Sequence, residues 1–353
     1  MDTADLDYDL PAAAIAQHPA EPRDAARLLV DRGAAAEPEH RKVADLDQLV
    51  SPGDIVVVND TRVIPARLAL RKPTGGAVEV LLLDRHPGGG WEALVRPGRR
   101  VPPGTRLRPV GDDGGDWSEL VVEVGEVLGE GRRFVTLDGP PGDDLALLDR
   151  FGELPLPPYI HEPLADPERY QTVFGDHPGS VAAPTAGLHL TDALLARCEA
   201  KGATVAPVEL VVGLGTFRPI TTDRVEDHPL HAERYHIPAE TRERLAGRSA
   251  LRDGSMGEGR VVAVGTTVVR ALESWAATGE PEGSTQLFIR GSYPFAVVDR
   301  LLTNFHVPRS SLLALVESFV GPRWRDLYTI ALAERYRFLS FGDAMVLDRV
   351  RGR

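Results

Sequence analysis

The run Ile55-Val56-Val57-Val58 constrains the fold most. Four consecutive β-branched residues without polar alternation suit a strand covered on both faces, as in the sheet of an α/β domain. Val261-Val262-Ala263-Val264 has the same character far downstream, and Val205 to Val212 reads as another strand. Between them the pattern changes. From about Arg67 to Asp149, short strand-like runs are cut by Gly and Pro, among them Val78-Glu79-Val80-Leu81-Leu82-Leu83, Trp91-Glu92-Ala93-Leu94-Val95 and Leu120-Val121-Val122-Glu123-Val124. That is how a small β-barrel reads. The expected fold class is therefore a mixed α/β main domain, residues 1–66 and 150–353, with a β-barrel domain of residues 67–149 inserted into it. Gly111-Asp112-Asp113-Gly114-Gly115-Asp116 is expected as a hairpin tip in the insert. Helices are expected from the N-cap Thr191 to Lys201 with Gly202 beyond it, from Thr266 or Thr267 to Thr278, and after Pro308-Arg309-Ser310-Ser311. Shorter ones are expected at Leu10 to Ala16 and at Asp45 to Leu49.

Charge and cysteine content narrow the function. The chain has 353 residues and a net charge of −12, from 52 acidic and 40 basic residues, so no global basic footprint marks a nucleic-acid binder. Local basic runs remain, at Arg96-Pro97-Gly98-Arg99-Arg100 and from Arg62 to Lys72. They read either as solvated faces or as RNA contacts. The single cysteine, Cys198, excludes an internal disulfide and sits in a helix-like stretch as a buried thiol. No apolar run approaches the roughly 18 residues of a membrane span, and the first residues are acidic, so the chain is expected to be cytoplasmic.

Four polar clusters combine titratable groups with residues small enough to let backbone approach a ligand. Asn59-Asp60-Thr61-Arg62 follows a buried strand, where α/β sheets place ligand contacts, although it also reads as an ordinary turn. Gly179 to His189 is a stretch of small residues, including Pro184, Thr185 and Gly187, that delivers one imidazole. His189 is there either as a general acid or base or to hold the loop. Gly213-Leu214-Gly215-Thr216-Phe217-Arg218-Pro219 precedes His228, His231 and Glu233, a dense set of proton-transfer groups. Two histidines and a carboxylate could also bind metal, but no further His or Cys has suitable spacing, so none is expected. Gly265-Thr266-Thr267, between a strand and a helix that carries Arg270, aims backbone N–H groups at a ligand. Dinucleotide and P-loop fingerprints are absent, which disfavours a nicotinamide dehydrogenase or an ATPase. Thr303-Asn304-Phe305-His306 and Phe341-Gly342-Asp343-Ala344 add two polar loops.

In this order the motifs resemble one family, the S-adenosylmethionine:tRNA ribosyltransferase-isomerases that make epoxyqueuosine from preQ1 at the tRNA wobble position. The similarity also runs through Ile15-Ala16-Gln17-His18-Pro19, Leu156-Pro157-Pro158-Tyr159-Ile160, Arg169-Tyr170-Gln171-Thr172-Val173 and Tyr336-Arg337-Phe338. The resemblance implies a β-barrel inserted in an α/β domain, S-adenosylmethionine as co-substrate, no metal or redox cofactor, and a preQ1-containing anticodon stem-loop as partner. A monomer is expected. On this reading His231 and Glu233 are the first proton-transfer candidates, followed by His189, with Asp60 and Asp343 orienting. Phe217, Tyr235 or Phe305 would wall the sulfonium, and Arg62, Arg218 and Arg270 would hold a carboxylate or phosphate.

Three departures keep alternatives open. The chain reads Leu210-Val211-Val212-Gly213 where the family has a histidine, Gln286 where it has a carboxylate, and Arg290-Gly291-Ser292 in a rewritten turn. A paralogue using S-adenosylmethionine on a small-molecule acceptor, or a non-catalytic binder of S-adenosylmethionine or RNA, would also fit such changes.

Overall fold

The structure, a computed structural model, describes residues 1–86, 88–109, 119–129, 131–139, 144–213, 219–249 and 259–350. It divides into two compact units, one of Met1–Arg62, Pro157–His177 and Ala183–Arg353, the other of Val63–Leu156 and Pro178–Ala182. The expected border at residue 150 falls inside the helix Asp144–Phe151, and Gly152 after it pairs with Leu68. The segment Pro178–Ala182 groups with the insert because the Ile64 amide donates to Ser180.

The larger unit is built on a nine-stranded sheet in the order Glu282–Thr285, Glu233–His236, Thr204–Leu210, Ile55–Asn59, Val261–Val264, Arg300–Asn304, Ala344–Asp348, Arg27–Asp31 and Glu39–Lys42. The four strands from Thr204–Leu210 to Arg300–Asn304 are parallel, whereas Glu233–His236 and Ala344–Asp348 run against their inner neighbours. The carboxyl ends of the four, at Leu210, Asn59, Val264 and Asn304, therefore meet the starts of two antiparallel strands near Glu233 and Asp343.

Both faces are covered, as the apolar runs require. Val56, Val58, Val262, Val264, Leu302 and Val346 share a core with Leu194 and Cys198 of the helix Asp192–Ala200. Val57, Ala263 and Leu301, alternating with them, are also fully buried, and the helices Thr266–Thr278 and Ser311–Val320 pack on the sheet. Thr191 caps the first helix by accepting from the Leu194 amide, and Ser310 does the same for the third from Leu313. Burial pushes the Cys198 thiol up to about 11, which suits an inert core residue.

Local expectations changed where tertiary pairing won. The helix expected at Leu10 to Ala16 is only one turn, Ala12–Ala14, because the chain is drawn into extended pairing: Phe338 donates to Ala14, and Ala16 donates back to Phe338. The second short helix forms as a six-residue 3₁₀ helix, Val43–Gln48. Thr303-Asn304 and Ala344, expected in loops, lie in buried strands.

The smaller unit is a closed barrel of Arg67–Arg71, Ala77–Arg85, Trp91–Arg96, Arg132–Asp138, Val121–Gly129 and Thr105–Pro109, the last pairing again with the first. Strict alternation, as in Leu68 and Leu70 buried against Ala69 and Arg71 exposed, fills its interior. The expected hairpin tip at residues 111–116 lies outside the described residues. Among the described residues no helix is long and apolar enough to cross a membrane.

Candidate functional site

Open parallel sheets bind ligands beyond the carboxyl ends of their strands. In the larger unit those ends hold a cleft of about 340 Å³, bordered by Pro184, Thr185, Val212, Gly265, Thr267 and Asn304. The Thr266–Thr278 helix starts on it: Gly265 adopts φ +96°, a conformation that favours glycine, and its amide donates to Leu302. Thr266, Thr303 and His306 complete the wall. The Thr185 hydroxyl donates to Asn304, whose amide group donates to Leu339, so this side is rigid. His306 is fully enclosed, its Nε2 lies 2.9 Å from the Thr303 hydroxyl, and burial pulls its pKa down to about 3. It is a neutral hydrogen-bonding group at ordinary pH.

A buried ion pair adjoins the cleft. Arg270 lies one helical turn beyond Thr266 and Thr267 and so shares their face. Its Nη1 donates to Glu233 Oε2 and its Nε to the Leu287 carbonyl, while Glu233 Oε1 accepts from the amide of Gly213, next to the cleft residue Val212. Arg270 Nη2 is buried without a partner, as is the Thr267 hydroxyl. Buried polar atoms are rarely left so, and a pair of donors of this kind suits an anion.

A second titratable cluster surrounds the end of the Ile55–Asn59 strand. Asn59 clamps the neighbouring strand end, donating to the Leu210 carbonyl and accepting from its amide, and the Thr61 hydroxyl donates to the same carbonyl. Asp60 is 6% exposed; Oδ2 contacts His177 Nδ1 at 3.1 Å, and Oδ1 has no partner. Burial, with help from nearby Glu209 and against the pull of His177, raises its pKa to about 6. Glu209 is itself paired with His236 at 2.9 Å. His177 and Glu209 carried no motif signal; only their place beside Asp60 in the fold reveals them.

Several expected site residues have other work. His189 is buried with Nδ1 3.1 Å from the Ala186 carbonyl and Nε2 2.9 Å from that of Gly342, and burial lowers its pKa. Both ring nitrogens face backbone carbonyls and the neutral ring donates to one of them, so the imidazole fastens the small-residue loop rather than facing a ligand. Asp343 likewise accepts from the amides of Arg27 and Arg337. Phe305 is fully buried and stacks on Phe338 at 4.6 Å, and the Tyr235 hydroxyl engages Thr278 and Glu280, so neither ring is a sulfonium wall. Arg62 pairs at the surface with Glu168. His231 is exposed just before the strand that begins with Glu233, and burial lowers the pKa of partly buried His228. Gly187 is a packing glycine: a Cβ there would meet Phe174 at 2.8 Å and Thr172 at 2.9 Å. Gly215, Thr216, Phe217 and Arg218 lie outside the described residues. Among the described residues no three His, Cys, Asp or Glu side chains are arranged to hold a metal.

A family model described as "Queuosine biosynthesis protein" matches residues 3–347. The chain belongs to that family. Proteins named S-adenosylmethionine:tRNA ribosyltransferase-isomerase from Rubrobacter xylanophilus and Thermus thermophilus are each 50% identical to it, over 98% and 97% of this chain and 98% of theirs. A crystal structure of S-adenosylmethionine tRNA ribosyltransferase from Thermotoga maritima is 36% identical, covers 97% of this chain and 99% of its own, and superposes with a TM-score of 0.53.

The queuosine-family departures can now be placed. Val211 keeps the sheet edge through its amide, which donates to Arg234. Gln286 is exposed, between Thr285, whose hydroxyl bonds Ser274, and Leu287, whose carbonyl holds Arg270. Arg290 lies over the Phe288 ring at 4.9 Å, and Gly291 turns the chain at φ +58°.

Proposed function

We propose that this chain transfers and isomerises the ribosyl group of S-adenosylmethionine onto the aminomethyl group of preQ1 in the tRNA anticodon loop. The observation that carries the reading is 50% identity, almost end to end, with proteins named for that reaction. The C5′–sulfur bond breaks with its electrons returning to sulfur, giving methionine. The amine nitrogen, losing a proton, bonds C4′ as the C4′–O bond opens; adenine leaves C1′ with a proton; and C5′, losing a proton, bonds C1′ while the freed oxygen replaces sulfur on C5′, which closes the carbocycle and its epoxide.

In this scheme Arg270 Nη2 and the Thr267 hydroxyl take the methionine carboxylate, with the helix N-terminus adding its dipole. Glu233 holds the guanidinium in place. Asp60 is the proton carrier, because a carboxyl with a pKa near 6 and a vacant oxygen can exchange a proton near neutrality. His306 and Asn304 offer neutral hydrogen bonds to sugar or base. The reaction calls for no metal, no membrane and no second copy of the chain, and it belongs in the cytoplasm with tRNA.

The test is incubation of purified protein with S-adenosylmethionine and a preQ1-containing anticodon stem-loop, following adenine and methionine release and the mass of the RNA. Adenine release coupled to the mass gain of an epoxycyclopentane on RNA is expected. Release without RNA modification, or only when a small acceptor is supplied, would overturn the acceptor assignment.

A further inference from the structure

The reaction proposed above leaves one proton behind. The amine and C5′ each lose a proton and adenine takes one, so the positive charge that enters as sulfonium ends as H⁺. The pocket therefore needs a base, a group that is ionised before the reaction starts. Asp60 is 6% exposed, and burial disfavours its charged form. Left alone, it would be a poor base. Something must hold it ionised and hold one of its oxygens toward substrate.

One side chain is placed to do both. His177 Nδ1 lies 3.1 Å from Asp60 Oδ2, and Oδ1 is left without a partner. Backbone anchors the contact: the amides of Asp176 and His177 both donate to the Asp60 carbonyl, at 2.9 and 3.1 Å. Gly175 lets the turn run this close, since an added Cβ would come within 3.1 Å of the Thr172 hydroxyl and 3.4 Å of the Thr61 carbonyl. The two side chains differ in exposure, 57% for the imidazole against 9% for the carboxyl. The ring can therefore carry its charge in water, without a desolvation cost, and lend it to a carboxylate that has lost its own water. The other charges nearby cannot. Glu209 opposes ionisation of Asp60, makes no hydrogen bond to it among the described residues and is itself paired with His236. Arg62, two residues on, is turned to Glu168.

We propose that His177 is the positioning residue of Asp60: it binds Oδ2, which leaves Oδ1 for the substrate proton, and as imidazolium it keeps the carboxylate ionised until that proton arrives. No bond to His177 forms or breaks in the sugar chemistry. The inference rests on the reading of Asp60 as proton carrier and adds the group that makes this buried carboxyl a base.

The experiment measures kcat/KM for S-adenosylmethionine against pH in the full chain, with a preQ1-containing anticodon stem-loop as acceptor. Wild type is compared with His177→Gln, His177→Ala and Asp60→Asn, and with the control His18→Gln, which breaks another exposed pair, to Glu162. S-adenosylmethionine affinity and thermal midpoint check folding. In both His177 variants the midpoint of the profile should move up from about 6 by about one pH unit, the low end for loss of an opposite charge because the ring is half in water. At pH 5 their kcat/KM should then fall about tenfold, a factor of ten for each unit. His177→Gln keeps an N–H for Oδ2 and should rejoin wild type at pH 8. His177→Ala frees the carboxyl to turn and should stay below wild type there until imidazole is added. His18→Gln should give the wild-type profile. An unmoved midpoint in both His177 variants, or a loss equal at every pH, would overturn the role of His177, and an inactive Asp60→Asn would leave the reading of Asp60 standing. Activity in Asp60→Asn with the midpoint near pH 6 intact would overturn both.

Discussion

Two groups of buried polar residues lie at the same end of the nine-stranded sheet, and they differ in what is left over. Around His189 and Asp343 the polar groups have backbone partners: the imidazole lies between two carbonyls and donates to one of them, and the carboxylate accepts from two amides. Around Asp60 and Arg270, three buried atoms have none: Asp60 Oδ1, Arg270 Nη2 and the Thr267 hydroxyl. Desolvating an unpartnered polar atom costs about 1–3 kcal/mol, so folding alone gives no reason to keep three of them. In the proposed function the satisfied group builds the loop and the unsatisfied group faces ligand.

The strongest way to break this comparison is Asp60→Asn. Turnover should fall by about 10² to 10⁴ while S-adenosylmethionine still binds, as for loss of a general acid or base. Stability should move the other way. The folded pKa of Asp60, about 6, lies above the ordinary 3.8, so the folded state binds more protons than the unfolded one between these values and loses stability as pH rises through 6. Asp60→Asn should therefore melt above the wild type at pH 8, with the difference gone at pH 4. A variant that is both inactive and less stable at pH 8 would return Asp60 to a structural role. The same ionisation predicts that kcat/KM of the wild type changes through about pH 6, with no contribution from His306, which stays neutral above about 3.

Arg270→Lys comes next. A lysine keeps the charge for Glu233 but lacks the second guanidinium nitrogen, so KM for S-adenosylmethionine should rise by roughly 10- to 100-fold. KM near the wild-type value would show that Nη2 meets no substrate. On the satisfied side, Asp343→Ala strands the amides of Arg27 and Arg337 and should cost about 2–4 kcal/mol in urea unfolding, with kcat of the folded enzyme little changed. A large loss of kcat at full stability would place Asp343 in the chemistry after all.

How far the sequence could show this division depends on the kind of signal. Uninterrupted runs such as Ile55 to Val58 announced the parallel sheet, and the Gly- and Pro-cut alternation announced the barrel, because burial on two faces or on one writes directly into residue order. Arg300–Asn304 and Ala344–Asp348 stayed hidden behind the polar residues Thr303-Asn304 and Asp343, and the charges that end them, Arg300 and Asp348, bond each other across the two strands. Site residues were legible as clusters but not by role. Nothing in the order Gly187-Leu188-His189 tells whether an imidazole points to a ligand or to the Gly342 carbonyl 153 residues away. Likewise, the pKa of Asp60 is raised by burial and, less, by Glu209 against the pull of His177, an environment that only the fold creates.

The smallest effects separate two glycines that look alike in sequence. Gly187 lies in the loop held by His189, and a methyl group there would press into Phe174 and Thr172 at 2.8 and 2.9 Å. Gly187→Ala should cost about 1–3 kcal/mol by overpacking, read as a lower thermal midpoint with kcat unchanged. Gly213 lies by the unsatisfied group, and an added Cβ meets nothing within 4 Å among the described residues. Gly213→Ala should leave the unfolding free energy within about 0.5 kcal/mol of wild type, since its amide still donates to Glu233. The methyl group would then stand where backbone alone approaches the Glu233–Arg270 pair, so any effect belongs in KM for S-adenosylmethionine. Were Gly213→Ala to lower stability and Gly187→Ala to raise KM instead, the assignment of one loop to structure and the other to ligand would be reversed.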